Sequence, residues 1–231
     1  MPTTETDRTD RRKTRTRAAL IGAAQRILAQ RGTTEVAVQD ITDEADVGLG
    51  SFYNHFTSKA ELFEEAVLDL LSDFGAALDV VFADMDDPAE VLAVGVRTTC
   101  RLAGERPEVA RILALAGPQF LVADRGLAPM ALRDITNGAA AGRFTAPNPT
   151  LALTVVAGSV LAYVQMRLSG QHTAGQLTGP LTGQLTDQLT GQLTDADADD
   201  LAAVVLTTLG LSPADAHEVA HRPLPVLAPH R

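Results

Sequence analysis

The chain has 231 residues, is 45% hydrophobic, contains no tryptophan and carries a formal net charge of −10. That length suits one or two domains with a buried core, and the composition excludes an intrinsically disordered chain. The single cysteine, Cys100, excludes an internal disulfide and a thiol-rich metal site, and fits a reducing cytoplasm.

The charge is unevenly spread. Residues 1–60 hold nine Lys/Arg against eight Asp/Glu, whereas residues 61–231 hold ten against twenty-one. Arg8, Arg11, Arg12, Lys13, Arg15 and Arg17 crowd into ten positions. A basic arm on an acidic body suits a nucleic-acid-binding module carried by a larger regulatory one; by charge alone a solvated tail would look the same. The polar, charged N-terminus shows no secretory pattern.

In chain order, residues 1–11 are expected to form a disordered basic arm. From about residue 12 to 31, Leu20, Ala24, Ile27 and Leu28 recur at helical spacing, and Gly32 supplies the stop. A short helix is predicted over about 38–44, with Val38, Ile41 and Ala45 on one side, and another over about 49–55. Ser58 caps a longer helix reaching about Phe82, with Glu61 in the capping-box position. Beyond "DMDDP", helices are predicted over about 88–104, 107–116, 127–141 and 150–168, separated by Gly and Pro signals. A last one spans about 197–209, and "SPADAHEVA" adds a turn or two. Strand signals are nearly absent, so the fold class is all-α.

Two segments need separate treatment. "LALTVVAGSVLAYVQM", residues 151–166, is uncharged, but with Pro147 and Pro149 ahead of it it falls short of the ~20 residues that span a bilayer. It reads as a buried helix, with no membrane partner. Residues 175–195 are five "GQLT"-like tetrads and a closing Asp195, with leucine at 177, 181, 185, 189 and 193. A four-residue period drifts by about 40° per repeat on a helix, and glycine, threonine and Pro180 weaken helix formation. A mobile low-complexity loop is expected there.

The stretch "VGLGSFYNHFTSKAELF", Val47 to Phe63, crowds aromatic and polar residues behind two glycines. On a helical wheel Phe52 and Phe56 define one face, and Gly50 and Asn54 lie opposite, with Ser51 and Tyr53 on the flanks. A small, polar outer edge suits insertion into a DNA major groove; a plain amphipathic helix would show the same polarity. Asn54 could pair with adenine, Ser51 with almost any base, and Leu49 with a thymine methyl. Tyr53, His55 and Lys59 suit phosphate oxygens.

"DITDEADVGLGSFYNHFTSKAELF" closely resembles the signature of the tetracycline-repressor (TetR) family of bacterial transcription regulators. Ile41, Ala45, Val47, Tyr53, Phe56, Ser58, Lys59 and Leu62 stand at matching places. Val36, Asp46 and Gly48 depart from the pattern, at a helix start, a turn and a cap. The resemblance covers about residues 15–65. It implies base contacts from Leu49, Gly50, Ser51 and Asn54, and phosphate contacts from Gln39, Tyr53, His55 and Lys59.

It further implies a helix-turn-helix DNA-binding domain over residues 12–60 and a helical regulatory and dimerisation domain over 61–231. The expected function is that of a transcription factor, a repressor, which binds a palindromic operator in double-stranded DNA and is released by a small-molecule effector of unknown identity. It would be a homodimer through the helices at about 150–168 and 197–209, working in the cytoplasm. For the first of these helices, an intrachain core position is the alternative.

Phe74, Phe82, Met85, Cys100, Phe120, Met130, Tyr163 and Met166 are candidates to line an effector cavity, although ordinary core positions would use the same residue types. Cys100 is expected to be a buried hydrophobe. Of the five histidines, only His217 and His221 are spaced for a metal, and no carboxylate pattern accompanies them. No cofactor or metal is expected. No Gly-rich phosphate loop, nucleophile elbow or acid pair points to an enzyme. A constitutive DNA binder without an effector, or a helical enzyme, is the alternative.

Overall fold

The computed structural model describes residues 5–117, 123–172 and 193–225, and the regular structure there is helical throughout. The chain divides into two compact units, Met1–Leu70 and Leu71–Arg231. The division falls inside one helix, ten residues after the boundary expected from sequence.

The first unit contains α1 (Glu5–Arg31), α2 (Val38–Glu44), α3 (Leu49–Tyr53) and the start of α4 (Lys59–Phe82). Helix α1 begins at Glu5, so residues 5–11 are helical where a disordered arm was expected. No glycine or proline falls between Glu5 and Ile21, and Glu5 and Asp7 stand at the positive end of the helix dipole. Extending an existing helix is also far easier than nucleating one. Gln25 Nε2 donates to Ala66 O at 3.0 Å and to Asp69 Oδ2 at 3.3 Å, fastening α1 to α4. Leu20, Ile27, Leu28, Ile41, Phe52, Phe56 and Leu62 form the buried interior of this unit.

At the entry to α4, Ser58 Oγ accepts from Glu61 N at 3.1 Å, as a cap should. The Glu61 carboxylate closes instead on Thr57, accepting from its backbone N at 2.7 Å and from its hydroxyl. Those bonds hold the Glu61 carboxyl below the usual carboxylate range.

The second unit adds α5 (Pro88–Glu105), α6 (Pro107–Ala116), α7 (Leu127–Ala140), α8 (Pro149–His172), α9 (Asp195–Thr208) and α10 (Pro213–Ala220) to the remainder of α4. Helix α5 is its centre, packed against α6, α7, α8, α9 and α10. Leu92, Val96, Cys100, Ile135, Phe144, Leu153 and Leu206 belong to one apolar cluster. Burial pushes the Cys100 thiol up to about 12, so it is a packed hydrophobe, as expected.

Buried cations in this unit are matched by anions. Arg97, 3% exposed, bonds Asp199 Oδ1 and the Arg222 carbonyl, each at 2.7 Å, and Arg101 reaches the same carboxylate at 2.8 Å. Arg143 spans Asp87 at 2.9 Å and Asp215 at 3.0 Å. Removing one partner of such a group leaves an uncompensated charge, which is why these arginines come paired.

Two expectations change in α8 and α9. Pro149 opens α8 rather than shortening it, because proline at the first helical position has no hydrogen bond to lose. The apolar span is therefore 21 residues, Pro149–Ser169, long enough to cross a membrane by length and composition. Yet Ala152, Leu153, Val156, Tyr163, Val164 and Leu168 on it are buried within the unit. Helix α9 starts at Asp195, where the Thr194 N–H and hydroxyl both donate to Asp197 Oδ2 at 2.6 Å. Leu193 packs on the core, so the last tetrad ends in ordered structure. The rest of the expected low-complexity loop, residues 175–192, lies outside the described residues.

After α7 the chain folds back, with Arg143 N and Phe144 N both donating to Gly138 O at 2.9 and 3.1 Å. A Cβ at Gly138 would overlap the buried Phe144 ring. Gly138→Ala is therefore expected to destabilise the protein by roughly 1–3 kcal/mol, the usual cost of overpacking. Urea unfolding at constant slope would measure it.

Candidate nucleic-acid interface and ligand cavity

Helix α2 ends in paired bonds that turn the chain sharply. Val47 N donates to Thr42 O at 3.0 Å and Asp46 N to Asp43 O at 3.2 Å, with Asp46 at φ 54°. This is a Schellman ending with aspartate, a residue that tolerates the left-handed region, where glycine is usual. Gly48, extended at φ −68° and ψ 146°, then caps α3, and Ser51 N donates to Gly48 O at 2.8 Å.

Phe52 and Phe56 are buried, with ring centroids 6.1 Å apart. Arg17 lies over the Phe56 ring at 5.2 Å, a cation–π contact. With the rings inward, Leu49, Gly50, Tyr53 and Asn54 are exposed and Ser51 is half-buried. Tyr53, 63% exposed, packs edge-on against Phe52, which stiffens it.

The phosphate candidates are already engaged. Lys59 Nζ lies 3.3 Å from Glu35 Oε2 and 3.4 Å from Val36 O. Gln39 Nε2 donates to Asp43 Oδ1 at 2.6 Å. Both partners are exposed acids, so a phosphate oxygen could displace them. His55 has its pKa lowered, first by burial and then by Lys13 and Arg17.

Ser51 also lines a polar cleft of about 650 Å³ between α1 and the turn, together with Arg11, Arg12, Arg15, Thr16 and Gly48. The cleft joins the start of α3 to the basic part of α1.

In the second unit a cavity of about 160 Å³ opens among α4, α5, α6, α7 and α8. Leu78, Phe82, Val96, Leu113, Met130, Leu153 and Val156 are among the apolar residues of its wall, and Thr99, Arg125 and Asp134 supply polar groups. Asp134 is only 8% exposed; burial raises its pKa, against the opposing bond from Arg133 Nε at 2.9 Å. Of the residues expected at such a cavity, Phe82 and Met130 line it. Cys100 and Tyr163 belong to the apolar cluster around α5, Phe74 and Met85 pack beside Phe82, and Met166 is exposed. Phe120 lies outside the described residues.

Comparison with known proteins matches both units. The family described as "Bacterial regulatory proteins, tetR family" matches residues 20–66, and "Tetracyclin repressor-like, C-terminal domain" matches residues 87–178. The crystal structure of RolR in complex with resorcinol is 32% identical, covering 95% of this chain and all of that one, with a TM-score of 0.73. The chain belongs to the tetR family of bacterial regulatory proteins.

Curated relatives match over a shorter region. The transcriptional repressor KstR2 of Rhodococcus jostii is 34% identical over 79 residues, 34% of this chain and 39% of that protein. The repressor DhaR of Mycobacterium sp. strain GP1 is 34% identical over 76 residues, 33% of this chain and 38% of its own. The chain thus matches about two fifths of the length of these curated relatives.

In this tetR-family regulator Leu49, Gly50, Tyr53 and Asn54 lie outward as the helical wheel predicts, while Arg11, Arg12 and Arg15, not among the expected contact residues, line the cleft beside Ser51. Their i, i+1, i+4 spacing was a usable signal once the helix was known to reach back to Glu5. Asp134 was missed because nothing in "ALRDITNG" says which residue faces a cavity.

The His55 shift has a testable sign. Its folded pKa is below the unfolded value, so the unfolded chain binds the proton first as pH falls. Stability is complete above pH ~6.5 and declines between there and the lower folded pKa. His55→Gln should flatten that decline, as followed by urea midpoints from neutral to mildly acidic pH.

Proposed function

We propose that this regulator binds a pseudo-palindromic operator as a homodimer, represses the genes beside it in the cytoplasm, and is released by a small phenolic effector. The observation that carries the DNA reading is the arrangement around α3. Phe52 and Phe56 are buried, Gly50 and Asn54 are exposed opposite them, and Ser51 shares a cleft with Arg11, Arg12 and Arg15. Leu49, Gly50, Ser51 and Asn54 meet base edges, while Gln39, Tyr53, His55, Lys59 and the α1 arginines meet phosphates.

Dimerisation uses the uncovered side of α8. Leu151, Thr154, Val155, Gly158, Ala162, Gln165 and Met166 form an exposed, uncharged stripe, and Val204 is exposed on α9. Small residues allow close approach of helices, and such a face suits an obligate interface. Two-fold pairing sets the two recognition helices about one DNA turn, ~34–36 Å, apart.

The effector reading rests on the cavity. Its size compares with the roughly 150 Å³ apolar cavity that holds a benzene ring. A phenolic hydroxyl could donate to Asp134 while the ring packs on Phe82 and Leu153. RolR, whose crystal structure contains resorcinol, supports that class. Helix α4 carries both Lys59 and the cavity-lining Leu71, Leu78 and Phe82. An effector that displaces this wall moves the helix bearing the phosphate contact. A coupling of ~1–3 kcal/mol is typical for such linkage. A constitutive binder would have no use for a lined cavity with a buried carboxylate.

Fluorescence anisotropy on a selected operator tests the assignment. Lys59→Ala should weaken binding to all sequences and make the salt slope shallower by roughly one. Asn54→Ala and Ser51→Ala should relax preference at single positions, each costing about 1–3 kcal/mol; unchanged selection from a random pool would refute those roles. Resorcinol titrated by calorimetry should bind the protein and release operator, with affinity falling at least about tenfold in Asp134→Asn. Operator binding that resists every simple phenol would favour the constitutive reading.

A further inference from the structure

We propose that Asp200, His217 and His221 form a binding site for one divalent transition-metal ion, of the zinc class, that clips α10 to α9. The ligating atoms of the three side chains lie within 4.8 Å of one another. Asp200 comes from α9, His217 from the last turn of α10, and His221, four residues on, caps the C-terminus of that helix. Asp215 and Glu218 flank His217 in sequence, yet the carboxylate grouped with the two histidines is Asp200, brought there by the packing of α9 against α10.

The hydrogen bonding of His221 carries the inference further than proximity. Its Nδ1 lies 2.9 Å from the His217 carbonyl oxygen, which can only accept, so Nδ1 holds a proton. In the neutral ring Nε2 then bears a lone pair, and it faces Asp200 Oδ1 at 3.5 Å. Nε2 and Asp200 Oδ1 are thus turned toward one another, the placement that a shared cation would use. A backbone carbonyl fixing one imidazole nitrogen while the other is left to coordinate is the usual outer-shell arrangement of a metal-bound histidine. Two imidazoles and one carboxylate suit zinc, cobalt or nickel rather than calcium or magnesium.

Tetrahedral zinc needs its ligands closer than they stand, about 3.3 Å apart at Zn–N lengths near 2.0 Å. All three side chains are exposed and can turn to meet it. A water fills the fourth position. This inference is independent of the operator and effector readings.

The test uses the full chain with any affinity tag removed. Zinc titration by calorimetry should show saturable uptake of one ion per chain, and cobalt should give the visible absorption of a tetrahedral site. His217→Gln and His221→Gln should each weaken uptake at least about tenfold, and Asp200→Asn should weaken it too. Circular dichroism checks that each variant stays helical. Zinc should raise the melting temperature of the protein but not of the variants, because it binds only the folded pairing of α9 with α10. Three results would overturn the proposal: no saturable uptake at millimolar zinc; undiminished uptake when both histidines are replaced; or uptake without any effect on melting.

Discussion

The burial of two phenyl rings decides what this protein can show to DNA. Helix α3 has five residues, too few to persist by its own hydrogen bonds. It exists because Phe52 and Phe56, one turn apart, are sequestered within the first unit, which also buries Leu20, Ile41 and Leu62. Once those rings are fixed inward, the geometry of a helix leaves Gly50 and Asn54 no direction but outward. The left-handed turn at Asp46 sets the angle at which that edge is offered.

The second unit obeys the same logic with a different result. Its helices wrap α5, and the arginines that enter this interior meet carboxylates or a carbonyl. Close packing is interrupted where small residues, among them Gly95, Ala128, Ala131 and Ala157, line a cavity. A mostly apolar lining of that kind suits an apolar ring, and the Asp134 carboxyl gives it one polar anchor.

Helix α8 shows how one element can satisfy two demands. Val156, Tyr163 and Val164 are buried in the interior, while Leu151, Val155, Gly158 and Met166 are left uncovered on the opposite side. Because both faces are apolar, the helix lacks the amphipathic signature of a surface element and resembles a membrane span by composition. Hydropathy could not separate a core helix, an anchor and an interface; the pattern of contacts separates the first.

Periodicity and local punctuation determined a great deal without help. The helices from α2 to α7 fall within a residue or two of their expected bounds, because caps, glycine stops and prolines act over a few neighbouring residues. The outward set at α3 was equally legible, since a short helix with two aromatics has only one way to hide them. Tertiary structure alone decided that Arg11 and Arg15 join Ser51 around one cleft, that Asp134 reaches a cavity, and that Asp200 meets His217 and His221. Those groupings join residues distant in sequence. Their proximity follows from how helices cross, a quantity that no local pattern of residues encodes.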